Sequence, residues 1–217
     1  IQSDYGDATS RRIGLAMSHP FGVGGAHFRT GARSGYVDTV AFGAYRREVF
    51  DQVGWFNEAL VRNQDDEFNF RVTKAGFRIM LDTTISSTYH VRASYGKLFR
   101  QYRQYGYWKV YVNRLHRAIT TMRQLVPAAW VGFLVVGALV VAAFPAWALV
   151  YGAVVALYLL AGVLSAIGAG AGIRELCGVL YAFCVLHVAY GIGYWQGVLR
   201  FLVMGYQPSE QSTRSSR

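Results

Sequence analysis

The chain is poor in acidic residues and in cysteine, and both shortages limit the classes of protein to which it can belong. It has 12 Asp and Glu against 22 Lys and Arg among 217 residues, for a formal net charge of +10. Cys177 and Cys184 fall seven positions apart in one apolar run, where a helix places them on one face and too far apart to bridge. Their spacing matches no zinc motif, so a disulfide scaffold and a cysteine zinc site are excluded, and buried, reduced thiols are expected. The glycines Gly22, Gly24 and Gly25 are not followed by the Gly-Lys-Ser/Thr ending of a phosphate-binding loop.

Acidic residues are absent between Tyr89 and Arg123, where the chain carries a belt of eight cations. They are Arg92, Lys97, Arg100, Arg103, Lys109, Arg114, Arg117 and Arg123. A belt of one sign directly before apolar segments predicts contact with anionic membrane lipids and a cytoplasmic location for this side. Basic segments with interleaved Tyr and Trp also bind nucleic acid. The apolar segments that follow favour the membrane, and we expect no nucleic-acid partner.

Residues 124–205 are apolar enough to cross a membrane. Two runs, before and after Pro145, are each long enough for one spanning helix. A third stretch is longer than one crossing needs and contains His187 without an acidic partner, which argues against a transporter. An intramembrane histidine indicates either a function or a hydrogen bond to a neighbouring helix. Residues 206–217 are polar and expected to be disordered.

The first 90 residues alternate short helical and strand patterns. Strands are predicted over 37–42, 78–82 and 85–91, and helices over 46–53 and 64–75. Gly54 and Gly76 end the two helices, and Asn63 can cap the second. This alternation favours an α/β domain or the back half of one. Residues 91–123 predict one or two amphipathic helices at the membrane interface, divided at Gly106 in the second case.

Three consecutive acidic residues, Asp65, Asp66 and Glu67, open the second of these helices. Carboxylates in a first helical turn favour the positive helix end. Glu67 also has Arg71 at i+4, which predicts a modest surface pair. Taken alone, the triple is a solvated helix end.

The residues around the triple change this interpretation. Residues 35–82, GYVDTVAFGAYRREVFDQVGWFNEALVRNQDDEFNFRVTKAGFRIMLD, resemble the second half of family 2 glycosyltransferases of the GT-A fold. That family has an arginine-rich helix, a Gly-x-Phe-(Asp/Asn)-Glu segment, and then an acidic Glu-Asp-x-(Asp/Glu)-Leu motif with an arginine three residues later. Asp65 stands at the position of the catalytic base. Gln64 replaces the first Glu of the motif, and Phe68 replaces the Leu.

Further segments resemble the membrane-bound subgroup of succinoglycan biosynthesis glycosyltransferases. HPFGVGGAHFRTG is similar to its FGVGNAH-R loop, RQYRQYGYWKV to its QY-QYG-WKV segment, and HVAYGIGYWQGVLR to its last apolar stretch. The resemblance implies the acceptor-binding residues Asp66, Gly24, Gly25, Gln101, Gln104, Tyr105 and Trp108, with Glu67 and Arg71 in support. For Trp108, stacking on a sugar and anchoring in the membrane interface both remain open. The Arg-Trp pair with which processive relatives hold the acceptor is absent, which favours the addition of one sugar.

The resemblance also implies the chemistry and the partners. In an inverting transfer, a carboxylate takes the proton of the acceptor hydroxyl that attacks the donor sugar. The resemblance implies a UDP-linked nucleotide sugar as the donor and a polyprenyl-diphosphate saccharide as the acceptor, for exopolysaccharide biosynthesis. A divalent metal, Mg or Mn, is expected in the full-length enzyme, but this chain has no Asp-x-Asp motif to bind it. His90 is a metal-proximal candidate, with a structural loop histidine as the alternative.

The expected arrangement follows from these segments. We expect the acceptor-side, C-terminal part of a GT-A domain over residues 1–90, interface helices over 91–123, transmembrane helices over 124–205 and a tail over 206–217. The catalytic part is expected on the cytoplasmic side of the inner membrane. Because the chain starts at Ile1 without signal features and lacks Asp-x-Asp, we expect a fragment that is inactive alone. The alternative is a non-catalytic, membrane-anchored subunit that docks a partner, and an upstream strand-helix repeat ending in Asp-x-Asp would exclude it.

Overall fold

The computed structural model describes residues 2–31 and 34–208, and most of these lie in helices. In chain order the helices are α1 (Ala8–Met17), α2 (Pro20–Val23), α3 (His27–Thr30), α4 (Arg47–Val53), α5 (Gln64–Lys74), α6 (Tyr95–His116), α7 (Val126–Ala143), α8 (Ala148–Gly168) and α9 (Leu176–Gly197). 3-10 turns at Met122–Leu125 and Pro145–Trp147 precede α7 and α8, and a π-helical segment at Val198–Val203 continues α9. From residue 209 onward, the tail expected to be disordered lies outside the described residues.

The strands form two small ladders. β1 (Gln2–Asp4) pairs in parallel with β4 (Thr88–His90), and β2 (Gly35–Val37) pairs antiparallel with β3 (Ile79–Leu81). The strands expected over 78–82 and 85–91 are therefore present in shortened form. The strand expected over 37–42 is wrong beyond its first residue, because the chain leaves the ladder after Val37 and Phe42 has a left-handed backbone with φ 57°. The described part of the chain is mostly helical, and its α/β character is confined to these ladders.

Helices α4 and α5 begin and end close to the expected residues. α4 ends at Gly54, whose φ of 78° is a conformation that glycine adopts without strain. α5 begins at Gln64, but the side chain of Asn63 does not cap it. Instead, Asn63 Nδ2 donates a hydrogen bond to the backbone oxygen of Tyr105 at 3.0 Å. The start of α5, and with it the acidic triple, is thereby tied to α6.

A single helix, α6, runs through the interface segment without a break at Gly106. This glycine lies against α9, where an added Cβ would be 2.0 Å from the backbone oxygen of Tyr190. Gly193 on α9 is equally close, since its Cβ would be 1.9 Å from the backbone oxygen of Arg103. The glycines therefore allow α6 and α9 to approach backbone to backbone.

Among the residues that the structure describes, three helical segments are long and apolar enough to cross a membrane, as the sequence predicted. They are Met122–Ala143, Pro145–Gly168 and Leu176–Val203. The most apolar window of each of the first two is only 11% buried inside the protein, whereas that of the third is 50% buried. Most of the apolar surface of α7 and α8 therefore points away from the rest of the protein, as in lipid-facing helices. This exposure supports membrane association. α9 is largely enclosed by other helices.

The main hydrophobic core surrounds α9. Phe183 on α9 is fully buried together with Ile13 of α1 and Leu98 of α6. A second core around Phe68 joins α4 and α5 to the β2–β3 ladder. Because α6 contacts both α9 and the start of α5, it connects the membrane helices to the acidic triple.

Candidate functional site

Asp65 and Asp66 of the acidic triple line a cavity of ≈ 620 Å³. Its walls come from the start of α5, the segment between Pro20 and Arg29, one face of α6, and parts of α7, α8 and α9. The cavity therefore lies between the polar part of the chain and the apolar helices.

Asp65 is the most exposed carboxylate of the triple, and it lines this cavity together with Asp66. Its Oδ1 accepts the backbone N–H of Asp66 at 2.9 Å, so the first turn of α5 orients the side chain. Desolvation by the surrounding protein raises the pKa of Asp65, the charge of Asp66 raises it further, and the charge of Arg29 opposes the shift. A carboxylate with a raised pKa is a stronger base than an ordinary aspartate.

Asp66 is held by a buried lysine. Its Oδ2 accepts a hydrogen bond from Lys109 Nζ at 2.5 Å, and the side chains are 17% and 1% exposed, respectively. Lys109 Nζ also lies 3.3 Å from Thr121 Oγ1. Burial lowers the pKa of Lys109, and the charge of Asp66 opposes that shift. Lys109 is therefore not a surface cation of the basic belt, in contrast to the sequence prediction.

Glu67 forms the expected pair with Arg71, but the pair is buried. Arg71 Nε donates to Glu67 Oε1 at 2.8 Å, and the glutamate side chain is only 3% exposed. His116 Nε2 donates to the same oxygen at 2.9 Å. The remaining N–H groups of Arg71 reach the backbone oxygens of Val53 and Trp55, so the pair also fixes the chain after α4.

The HPFGVGGAHFRTG segment, which resembles a loop of the family, contains two short helices, α2 and α3, with Gly24 and Gly25 between them. His19 Nδ1 accepts the backbone N–H of Phe21 at 3.1 Å and so begins α2. Gly24 lines the cavity with φ 63°, which turns the chain after α2. A Cβ on Gly24 or Gly25 would lie 3.3 or 3.9 Å from Arg123 Cδ, so both glycines sit beside that arginine.

The residues of α6 predicted to bind the acceptor divide into two groups. Tyr105 lines the cavity, and Gln101 Nε2 donates to its hydroxyl at 2.7 Å. Gln104 lies outside the wall, where its Oε1 accepts from Arg62 Nε at 3.0 Å. Trp108 packs in an aromatic cluster with the end of α9. Of the predicted site residues, the structure thus brings Asp65, Asp66, Gly24 and Tyr105 together on one cavity.

His90 does not lie in a group of possible metal ligands. Its Nδ1 is 2.8 Å from Asp4 Oδ2, and its side chain is 81% exposed. Across residues 2–31 and 34–208, no three His, Cys, Asp or Glu side chains come together in a way that could hold a metal ion. The described residues do not fit the divalent metal that the resemblance implies, and we assign no chemical step to a metal.

His187 joins three elements around the apolar side of the cavity. Because a backbone oxygen only accepts, His187 Nε2 donates to the oxygen of Phe21 at 2.7 Å. His187 Nδ1 then accepts from the Tyr158 hydroxyl at 2.8 Å. Of the two sequence-based alternatives, the structure shows the hydrogen bond between helices.

Arg29 is a cavity residue that the sequence analysis did not single out. Its guanidinium carbon lies 4.8 Å from the ring centre of Tyr89, and Tyr102 and Tyr105 line the same wall. Its position at the end of the HPFGVGGAHFR segment, which resembles a loop of the family, could have indicated that it belongs to the site. In this arrangement the carboxylate of Asp65 can take a proton from a hydroxyl group of a ligand. The guanidinium of Arg29 and the aromatic walls can bind an anionic ligand beside it.

Comparison with known proteins finds two relatives. The chain is 34% identical over 189 residues to the succinoglycan biosynthesis protein ExoA of Rhizobium meliloti (strain 1021), covering 86% of this chain and 56% of that protein. It is 30% identical over 84 residues to a dolichyl N-acetyl-alpha-D-glucosaminyl phosphate 3-beta-D-2,3-diacetamido-2,3-dideoxy-beta-D-glucuronosyltransferase of Methanococcus voltae, covering 38% of this chain and 26% of that enzyme. No family model and no solved structure matches the chain significantly.

The chain thus spans about half the length of the first relative. The resemblance that the motifs indicated is confirmed: the chain is homologous to this succinoglycan biosynthesis protein over most of its own length and, over a shorter stretch, to an archaeal glycosyltransferase.

Proposed function

We propose that this chain forms the acceptor-binding part of an inverting family 2 glycosyltransferase in which Asp65 is the general base. The enzyme moves a sugar from a nucleotide-sugar donor to a lipid-linked saccharide acceptor in exopolysaccharide biosynthesis. The names of the two relatives, a polysaccharide biosynthesis protein and a glycosyltransferase, support this role.

The observation that carries the proposal is the different environment of each carboxylate in the triple. Asp66 is paired with Lys109, and Glu67 with Arg71 and His116. Within residues 2–31 and 34–208, no cation lies within ion-pair distance of Asp65, which faces the cavity. Asp65 is therefore the carboxylate best able to accept a proton from a ligand.

In the proposed reaction, Asp65 takes the proton of an acceptor hydroxyl as its oxygen attacks the anomeric carbon of the donor sugar. The new carbon–oxygen bond forms on one face while the bond to the nucleoside diphosphate breaks on the other, so the configuration inverts. The raised pKa of Asp65, caused chiefly by desolvation, favours this proton transfer. The carboxylate oxygens of Asp66 and Glu67 are instead already bound by Lys109, Arg71 and His116.

We further propose a UDP-linked donor, a polyprenyl-diphosphate acceptor and a location on the cytoplasmic face of the inner membrane. The apolar helices α7 and α8 support membrane attachment. The exposed cations of the basic belt, such as Arg100 and Arg103, support contact with anionic lipids.

The test compares Asp65→Asn with a matched carboxylate outside the cavity. Asp51 on α4 is the control, because its side chain is 65% exposed and its only described ion pair is a 3.5 Å contact with Arg47. The protein is expressed from its complete reading frame and assayed in membranes with nucleotide sugars and lipid acceptor. Asp65→Asn is expected to lower kcat by about 10²–10⁴-fold while nucleotide binding is retained, whereas Asp51→Asn keeps normal turnover.

Two outcomes would contradict the proposal. Near-normal turnover of Asp65→Asn together with an inactive Asp66→Asn would assign the base to Asp66. Absence of transfer by the unmodified protein with every donor and acceptor would favour the non-catalytic docking subunit.

A further inference from the structure

The side chains that line the cavity beside Asp65 include two groups of different chemistry, which we call its polar and apolar ends. Asp65, Arg29 and Tyr105 present charged or polar groups at one end. At the other end, Trp130 of α7 stacks on Tyr158 of α8 with ring centres 4.2 Å apart. A ligand that fills both ends must carry an anionic group and an apolar chain.

Arg29 is the cation that lacks an acidic partner at the polar end. In the part of the chain that the structure describes, no carboxylate lies within ion-pair distance of its guanidinium. Arg123, another arginine on the wall, is instead 2.7 Å from Asp38. A guanidinium binds phosphate strongly because it can donate two parallel N–H···O hydrogen bonds.

Tyr105 supplies a neutral donor on the same wall. Its hydroxyl oxygen already accepts from Gln101 Nε2 at 2.7 Å, so the hydroxyl hydrogen can be donated to a ligand. Gln101 is 7% exposed, so the hydroxyl of Tyr105 receives this hydrogen bond from a buried side chain. A phosphate at the polar end would thus meet one charged and one neutral donor.

The apolar end borders the helices that face the membrane. α7 and α8 direct most of their apolar surface outward. The hydrogen bonds of His187 to Phe21 and Tyr158 keep α2, α8 and α9 together around this end. An isoprenoid chain that enters from the bilayer matches these walls. The base of a nucleotide also stacks on aromatic rings, and the uridine diphosphate arm of the binding assay distinguishes the two ligands.

We propose that Arg29, assisted by Tyr105, binds the phosphate of the lipid-linked acceptor, and that the first isoprenoid units lie against Trp130 and Tyr158. The inference rests on the proposed function, because it gives the acceptor's place relative to Asp65.

A direct binding assay tests this placement without turnover. The protein in lipid nanodiscs is titrated with a polyprenyl phosphate, with the polyprenol of equal length, and with uridine diphosphate. Arg29→Gln is expected to weaken binding of the polyprenyl phosphate by about tenfold to a hundredfold, the range for losing charge-assisted hydrogen bonds. Its affinity for the polyprenol and for uridine diphosphate is expected to stay unchanged.

Matched variants separate the two ends. Arg46→Gln removes an arginine that lies outside both the cavity and the basic belt and has an 86% exposed side chain, and it is expected to leave all three affinities unchanged. Trp130→Ala is expected to weaken both polyprenyl ligands, whereas Trp147→Ala, at the exposed turn between α7 and α8, is not. Tyr105→Phe is expected to weaken only the polyprenyl phosphate, by about three- to tenfold.

Equal affinity of the unmodified protein and Arg29→Gln for the polyprenyl phosphate would overturn the inference. A loss confined to uridine diphosphate would also overturn it, since Arg29 would then belong to a donor site. If thermal unfolding shows that Arg29→Gln is misfolded, Arg29→Lys and Tyr105→Phe decide instead, and unchanged phosphate preference in both contradicts the inference. Failure of the proposed function is recognised separately, as normal transfer by Asp65→Asn, because binding of phosphate does not require the base.

Discussion

The pair of Lys109 and Asp66 gives the sharpest quantitative prediction. Lys109 is 1% exposed and Asp66 is 17% exposed, so either charge left alone would lie largely out of water. Removal of one partner from a buried pair costs about 3–5 kcal/mol. Because Asp66 keeps some access to the cavity, we expect the lower end, about 3 kcal/mol, for Lys109→Met.

A double-mutant cycle measures this coupling. For a chain of this size, about 3 kcal/mol corresponds to a fall in Tm of roughly 6–12 °C. Lys109→Met and Asp66→Asn are each expected to show such a fall, while the double variant, which leaves no buried charge, loses much less than their sum. The assay is thermal unfolding of the solubilised protein followed by circular dichroism. The exposed pair Arg47 and Asp51 is the control, where substitutions of the same kind are expected to change stability by less than about 1 kcal/mol.

The pH dependence of the stability of Asp66→Asn shows whether the charge of Lys109 is the one that is buried. Burial lowers the pKa of Lys109, and Asp66 opposes this effect. Without Asp66, the folded protein resists protonation of Lys109 more strongly than the unfolded chain does. The Asp66→Asn variant is therefore destabilised at neutral pH and regains stability as pH rises toward the unfolded lysine value of about 10.4. Losses that add to within about 0.5 kcal/mol in the cycle would refute the reasoning, because they would mean that the two side chains do not interact.

Three further predictions concern the base, the helix contact and the membrane orientation. Desolvation raises the pKa of Asp65, so ionisation of this group opposes folding once pH exceeds its unfolded value. Asp65→Asn is therefore expected to raise Tm at pH 7, and the advantage is expected to vanish near pH ~3, where both states are protonated; an unchanged Tm at pH 7 would contradict this. Gly106→Ala is expected to lower Tm because its Cβ would lie 2.0 Å from the backbone oxygen of Tyr190, whereas Gly96→Ala, which meets only a side-chain oxygen at 3.7 Å, serves as the tolerant control; equal Tm values would show that α6 and α9 are not packed so closely. A cysteine at Ala146 in a cysteine-free background is expected to react with an impermeant reagent from the side opposite the basic belt, and labelling from the cytoplasm would reverse the orientation.

Local elements could be predicted because their signals are local. Gly54 ends α4, α5 begins at Gln64, and the three apolar segments are helices long enough to span a membrane. Each of these features depends on residues within one or two turns or on the length of an apolar run. The strand predicted over 37–42 was wrong because its length depends on a partner strand that is distant in sequence. Three apolar residues at short spacing do not indicate where that pairing ends.

Partners distant in sequence could not be predicted in this way. Lys109 is 43 residues from Asp66, and His116 is 49 residues from Glu67. In the sequence, Lys109 looks like any other cation of the basic belt. The one available signal was its position seven residues after Tyr102, which places it on the buried face of α6. Its acidic partner still could not be read from that face, because it depends on how α6 crosses α5.

The division of roles within the triple follows from two helices together. Successive residues of α5 project about 100° apart, so Asp65, Asp66 and Glu67 must point in three directions. Lys109 and His116 lie seven residues apart on α6, two turns of the same face, and they bind Asp66 and Glu67. Because side chains of α6 bind Asp66 and Glu67, only Asp65 of the three carboxylates has no partner on α6. α6 also packs against α9 through residues such as Leu98 and Tyr102, so the helix that binds Asp66 and Glu67 is also the one that joins the proposed base to the membrane helices.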